Sequence, residues 1–126
     1  MSQQEYFKFS DGWLLASVGS GKLNLYHIIS NGDMLNHAIL RLDEINDGLS
    51  RLECEGFIEI VESKLEYTKK GKLFFKTHRK RFELCIPQML RYCNALEKIP
   101  LQNTIIYKEY FSADEYDKVI KEYCPY

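Results

Sequence analysis

No stretch of this chain approaches the roughly 20 consecutive apolar residues that a bilayer-spanning helix needs, so no membrane is expected among its partners. The opening Met-Ser-Gln-Gln-Glu lacks the basic and apolar regions of a secretory signal. A cytoplasmic location follows as an expectation. Its cysteines, Cys54, Cys85, Cys93 and Cys124, form no C-x-x-C pair. Free, mostly buried thiols are expected of them in a reducing compartment.

Signatures of catalysis are lacking too. There is no Gly-x-Ser-x-Gly elbow and no Cys–His pair with supporting spacing. Gly19-Ser20-Gly21-Lys22 invites a phosphate-loop reading, but Ala16 and Leu23 stand where that pattern needs Gly and Ser or Thr. His27, His37 and His78 are scattered, and Asp33 with His37 supplies only two ligands, so no metal site and no cofactor are expected. Neither a repeat nor a low-complexity tract is present. These residues point to a binding protein, not an enzyme.

Net charge is also nearly lacking, at −1 over 126 residues, yet the charges are segregated. Arg41 to Glu62 holds two basic and seven acidic residues, whereas Lys64 to Arg81 holds eight basic and one acidic. Such a dipole bears on partner choice more than the total does.

What is present is a core-forming composition, 45% hydrophobic and 13% aromatic, enough for one domain and an extension. After a lead-in with Tyr6, Phe7 and Phe9, Ser10 or Asp11 can cap a first helix carrying Trp13, Leu14, Leu15 and Val18, closed by Gly19-Ser20-Gly21. Leu25, Ile28, Ile29 and Leu35 predict helix over 23–36, either divided into two at Asn31-Gly32-Asp33, the favoured reading, or bent there. Leu42, Ile45, Leu49 and Leu52 step by 3, 4 and 3 residues and predict a third helix, ended by Gly56. Phe57 to Glu62 and Leu65 to Thr68 read as a β-hairpin turning at Ser63-Lys64. Thr68 can cap a fourth helix. Phe82 to Leu96 continues at helical spacing, with Pro87 marking a kink or a fresh start. Thr104 to Tyr107 reads as extended, and Ser112-Ala113-Asp114-Glu115 as the capping box of a last helix to about Tyr123.

Asp11 to Phe75 resembles winged helix-turn-helix domains. The resemblance rests on Asp11-Gly12-Trp13-Leu14-Leu15, on Ile39 through Ile60, and on Tyr67-Thr68-Lys69-Lys70-Gly71. It implies a mostly α fold with a small two-stranded β-hairpin wing and additional C-terminal helices. Residues 1–77 would form the winged domain, and 78–126 a helical extension that packs on it or mediates dimerisation. Residues 43–58 are similar to a recognition helix and first wing strand, although Arg41 or Leu42 stands where a capping Ser, Thr or Asp is usual.

The implied function is that of a DNA-binding transcriptional regulator. Asn46, Ser50 and Arg51 would read bases, since Asn pairs with adenine and Arg with guanine. Lys64, Lys69 and Lys70, joined by Arg79, Lys80 and Arg81, would hold backbone phosphates. Double-stranded DNA and a second copy are the expected partners, a twofold dimer matching two half-sites. Against this stand Asp43, Glu44 and Asp47, which phosphates would repel. The alternative is a winged helix that binds protein and not DNA. A third possibility is self-association, with the basic segment of one copy against the acidic segment of another.

Overall fold

A computed structural model describes residues 3–124; the first two residues of the expected lead-in lie outside it. The chain is mostly helical with a small three-stranded antiparallel sheet.

The first helix, α1 (Phe9–Val18), begins ahead of both expected caps, Ser10 and Asp11, with Lys8 as its cap residue. Asp11 lies inside the first turn, where its carboxylate accepts from the Lys8 N–H at 2.8 Å. Trp13, Leu14 and Leu15 are buried, and Gly19, at φ 66°, ends the helix.

The predicted break at Gly32 does not occur. α2 runs unbroken over Leu25–Asn36, capped by the Asn24 side chain on the His27 N–H. Glycine serves close packing here. A Cβ at residue 32 would lie 2.9 Å from Leu40 Cδ1, and the Gly32 carbonyl accepts from the Trp13 indole at 2.8 Å. The helical cost of one glycine, about 1 kcal/mol, is offset by that contact.

α3 (Leu42–Cys54) has the predicted apolar face: Ile45, Leu49 and Leu52 are fully buried. Arg41 is its cap residue, and the Glu44 carboxylate accepts from the Arg41 N–H at 2.9 Å, so one orphan donor is met without a capping hydroxyl. Gly56 follows at φ 81°.

Strands β2 (Ile58–Val61) and β3 (Lys64–Tyr67) pair antiparallel, with Val61 opposite Lys64. The turn is therefore Glu62-Ser63, one residue earlier than predicted. Both residues adopt left-handed backbone, φ 50° and 62°, as a tight two-residue hairpin requires. A strand that the sequence pattern did not suggest, β1 (Gly21–Lys22), adds to the other edge of β3, Gly21 opposite Leu65. The sheet order is β1-β3-β2, three strands where two were expected. Two residues are too short for any periodicity to reveal them.

α4 (Lys69–His78) starts at the Thr68 cap, whose oxygen accepts from the Gly71 N–H. α5 (Cys85–Glu97) is the fresh start signalled by Pro87, which falls in its first turn, where backbone N–H groups have no helical partner. α5 crosses α1 so closely that a Cβ on Gly12 would lie 2.6 Å from Cys93 Cα. Met89, Tyr92, Cys93 and Leu96 thereby enter the same core as Leu14 and Ile28. Burial pushes the Cys93 thiol up to about 12.

From Lys98 to Ser112 the chain has almost no regular structure. Its start is tied to the N-terminal segment: Leu101 N–H donates to Glu5 O at 2.8 Å, and Tyr6 bridges Pro100. α6 (Ala113–Tyr123) closes the described chain with the predicted Ser112–Glu115 box. It lies against α2, where Tyr123 donates to Asp33 at 2.6 Å.

Candidate functional site

The face of α3 opposite its apolar stripe was expected to read bases. Residues 101–111 cover it. Asn46, 9% exposed, donates to Phe111 O at 2.9 Å and accepts from the N–H groups of Tyr110 and Phe111, both at 3.1 Å. Ser50, fully buried, donates to Asn46 O and accepts from Lys108 N–H, each at 2.9 Å. One turn on, Glu53 accepts from the Tyr110 hydroxyl at 2.6 Å. Glu55, 4% exposed, accepts from Gln102 N–H at 2.7 Å and Asn103 N–H at 2.9 Å. An irregular backbone carries N–H groups that must be paired when covered; the polar residues of α3 meet that need. Pressed against α3, the Tyr110 hydroxyl is pushed well above the usual phenol range by burial and by Glu53.

Arg51 is turned the other way. Its Nε donates to Asp11 Oδ2 at 2.9 Å and its Nη2 to Asp11 Oδ1 at 3.0 Å. The two side chains are 6% and 0% exposed. Nη1 reaches the Tyr107 hydroxyl at 3.3 Å. Burial opposes the guanidinium charge, but the bonds to Asp11 outweigh it and hold the group above its ordinary range.

The sequence reading had Asn46, Ser50 and Arg51 facing a major groove. The structure does bring the three together, but inside the molecule, with their polar groups bonded to this chain. Their partners lie 40 to 65 residues away in sequence, so the spacing within α3 carried no sign of them. Asp11 and Glu55, not singled out as site residues beforehand, are the buried anchors. Asp11, the one charged residue from Phe9 to Gly21, carried a signal of that kind; Glu55, among Arg51, Glu53 and Glu59, carried none.

The expected phosphate contacts divide among three places. Lys64 stands on β3 beside Lys22 of β1, in a shallow hollow lined also by Glu59, Glu62 and Glu66. Lys70 donates to Glu55 O at 2.7 Å and lies 4.7 Å from the centre of the Phe57 ring, so its charge serves the fold. Lys69 is exposed on α4. Steps of three and four residues place Lys72 and Lys76, also exposed, on the same helical strip. Arg79, Lys80 and Arg81 are exposed in the segment joining α4 to α5.

Among the described residues, no helix is long and apolar enough to cross a membrane, and no group of three or more His, Cys, Asp and Glu is placed to hold a metal ion. Comparison with protein-family models, curated proteins and solved structures finds no match to the chain.

Proposed function

We propose that this chain is a winged-helix protein that acts as a protein-interaction module and does not read DNA sequence through α3. The order of elements supports the winged-helix assignment: three helices, a short strand after the first, a hairpin after the third. The observation that carries the functional reading is the bonding of Asn46 and Ser50 to residues 108–111 and of Arg51 to Asp11. To read bases the protein would have to strip that segment away and leave its backbone donors unpaired, at roughly 1–3 kcal/mol for each group that stays buried. The outer edge left free, with Asp43 and Asp47, repels phosphate. A cytoplasmic setting goes with the four free thiols, although Cys93 alone of them is buried where mostly buried thiols were expected.

One observation favours a second reading, a DNA-binding regulator that grips backbone without base contacts. Lys69, Lys72 and Lys76 form a cationic strip that Arg79, Lys80 and Arg81 prolong.

Fluorescence anisotropy with a random duplex separates the two. The interaction module shows no measurable binding at about 50 mM salt. A backbone binder neutralising several phosphates binds there and loses orders of magnitude in affinity by about 200 mM. In that case a Lys69→Glu, Lys72→Glu double variant weakens binding on all sequences alike.

A further inference from the structure

The turn between α4 and α5 carries large apolar side chains into solvent. Phe82 is 91% exposed and Leu84 75%, followed by exposed Ile86 and Leu90 on α5. Phe82 takes left-handed backbone, φ 64°, a conformation that bulky residues rarely adopt. Arg79, Lys80 and Arg81 lead into it, the Arg81 guanidinium 5.0 Å from the Phe82 ring centre. Only one acid, Glu83, lies between Glu66 and Glu97. Its side chain is 12% exposed and held by Arg91, Nε to Oε1 at 3.1 Å. What faces outward is an apolar tip set in positive charge.

The complementary chemistry is on the same chain. Beside α3 lies an open cleft of about 410 Å³, with Leu42, Tyr107 and Ala113 as apolar lining and Asp43, Asp47 and Glu109 around them. Lys108, also in the lining, is turned to Glu53 at 3.6 Å. Asp43 is shared with Arg41; Asp47 and Glu109 have no ion-pair partner among the described residues. Asp114, Glu115 and Asp117 follow Ala113 as exposed residues of α6 and extend the negative field.

We propose that copies of this chain join head to tail, the Arg79–Leu84 tip of one entering the acidic cleft beside α3 of the next. A duplex would satisfy the three cations and leave Phe82 and Leu84 without an apolar seat; the cleft satisfies both. Joined in one direction, with each copy's tip in the next copy and not returned by it, the contact is heterologous and closes to a ring or runs on as a filament. It differs from the twofold pairing that half-site recognition would call for. The proposal rests on the protein-interaction reading and names a second copy as the partner.

The test is sedimentation velocity on the full chain, without nucleic acid, across a range of concentrations at about 50 mM and about 500 mM salt. Species larger than a monomer are expected at the lower salt and a shift toward monomer at the higher. Two variants isolate the surfaces: Phe82→Asp with Leu84→Asp at the tip, and Asp47→Lys with Glu109→Lys at the cleft. Each should be monomeric with an unchanged circular dichroism spectrum. An equimolar mixture should give a complex that stops at two chains, because one intact tip and one intact cleft remain. Arg79→Glu with Arg81→Glu, all on exposed positions, replaces the first tip variant if that one misfolds. A wild-type chain monomeric at both salts overturns the proposal, as does a mixture that stays monomeric. Monomer that also ignores duplex DNA ends the head-to-tail pairing alone. Monomer that binds duplex ends the protein-interaction reading as well.

Discussion

Replacing Arg51 by alanine tests where that side chain points. An arginine aimed at a DNA groove is solvent-exposed before binding, and surface truncations usually stay within about 0.5 kcal/mol. In this structure Arg51 is paired twice with Asp11, at 2.9 and 3.0 Å, both side chains being almost wholly enclosed. Removing one partner of a buried pair leaves the other charge uncompensated, at about 3–5 kcal/mol. Asp11 would keep only the Lys8 N–H at 2.8 Å, which softens the loss, so the lower half of that range is expected. Against a total stability of about 5–15 kcal/mol for a domain, that is a large fraction, and a melting temperature lower by roughly 10 °C or more should follow. Urea denaturation followed by circular dichroism measures it directly. Asp11→Ala should cost at least as much, since it orphans the guanidinium. The Asp11→Ala, Arg51→Ala double variant should cost clearly less than the sum, giving a coupling above about 1 kcal/mol in a double-mutant cycle. An Arg51→Ala loss under about 1 kcal/mol, or additive single losses, would refute the placement of this pair.

Two further outcomes follow from the same geometry. Asn46→Ala removes three bonds to residues 110 and 111 and should cost about 2–4 kcal/mol while speeding amide exchange at Tyr110 and Phe111; exchange as slow as in the wild type would mean that the segment is held by something else. Stability should also decline in alkali. Cys93 and Tyr67 both have folded-state values raised by burial to about 12, from ordinary values of 9.0 and 10.0. Each favours the folded chain fully below its ordinary value and loses that contribution as pH rises toward 12, so denaturation midpoints should fall above about pH 9. In a Cys93→Ala background the decline should begin about one pH unit higher, and an unchanged profile would remove the thiol from the account.

Local signals located most of the elements. The 3-4-3 stepping of Leu42, Ile45, Leu49 and Leu52 gave α3, and the box at Ser112 gave α6, because each is a property of a dozen neighbouring residues. Gly32 misled for an instructive reason. Glycine usually interrupts a helix, and only the approach of Leu40 and Trp13 shows that here it permits one to continue. The turn at Glu62-Ser63 was displaced by one residue because neither residue belongs to the types that favour positive φ. The candidate site was the least legible part. Residues 41–51 have the polarity of a surface helix whether that polarity is spent on water, on DNA or on the chain's own backbone. Nothing local to them announces Lys108 to Phe111 as the recipient.

The arrangement around α3 also imposes an order of events on synthesis. Residues 3–100 leave the ribosome before residues 101–111 exist outside it, and translation proceeds at about 5–20 residues per second. During that interval Asn46, Ser50 and Glu55 present open acceptors on the nascent chain. A premature stop just after α5, at residues 98 to 101, would make that transient nakedness permanent, and such fragments are candidates for quality-control proteolysis even though every residue of the hairpin and of α1 to α5 is intact.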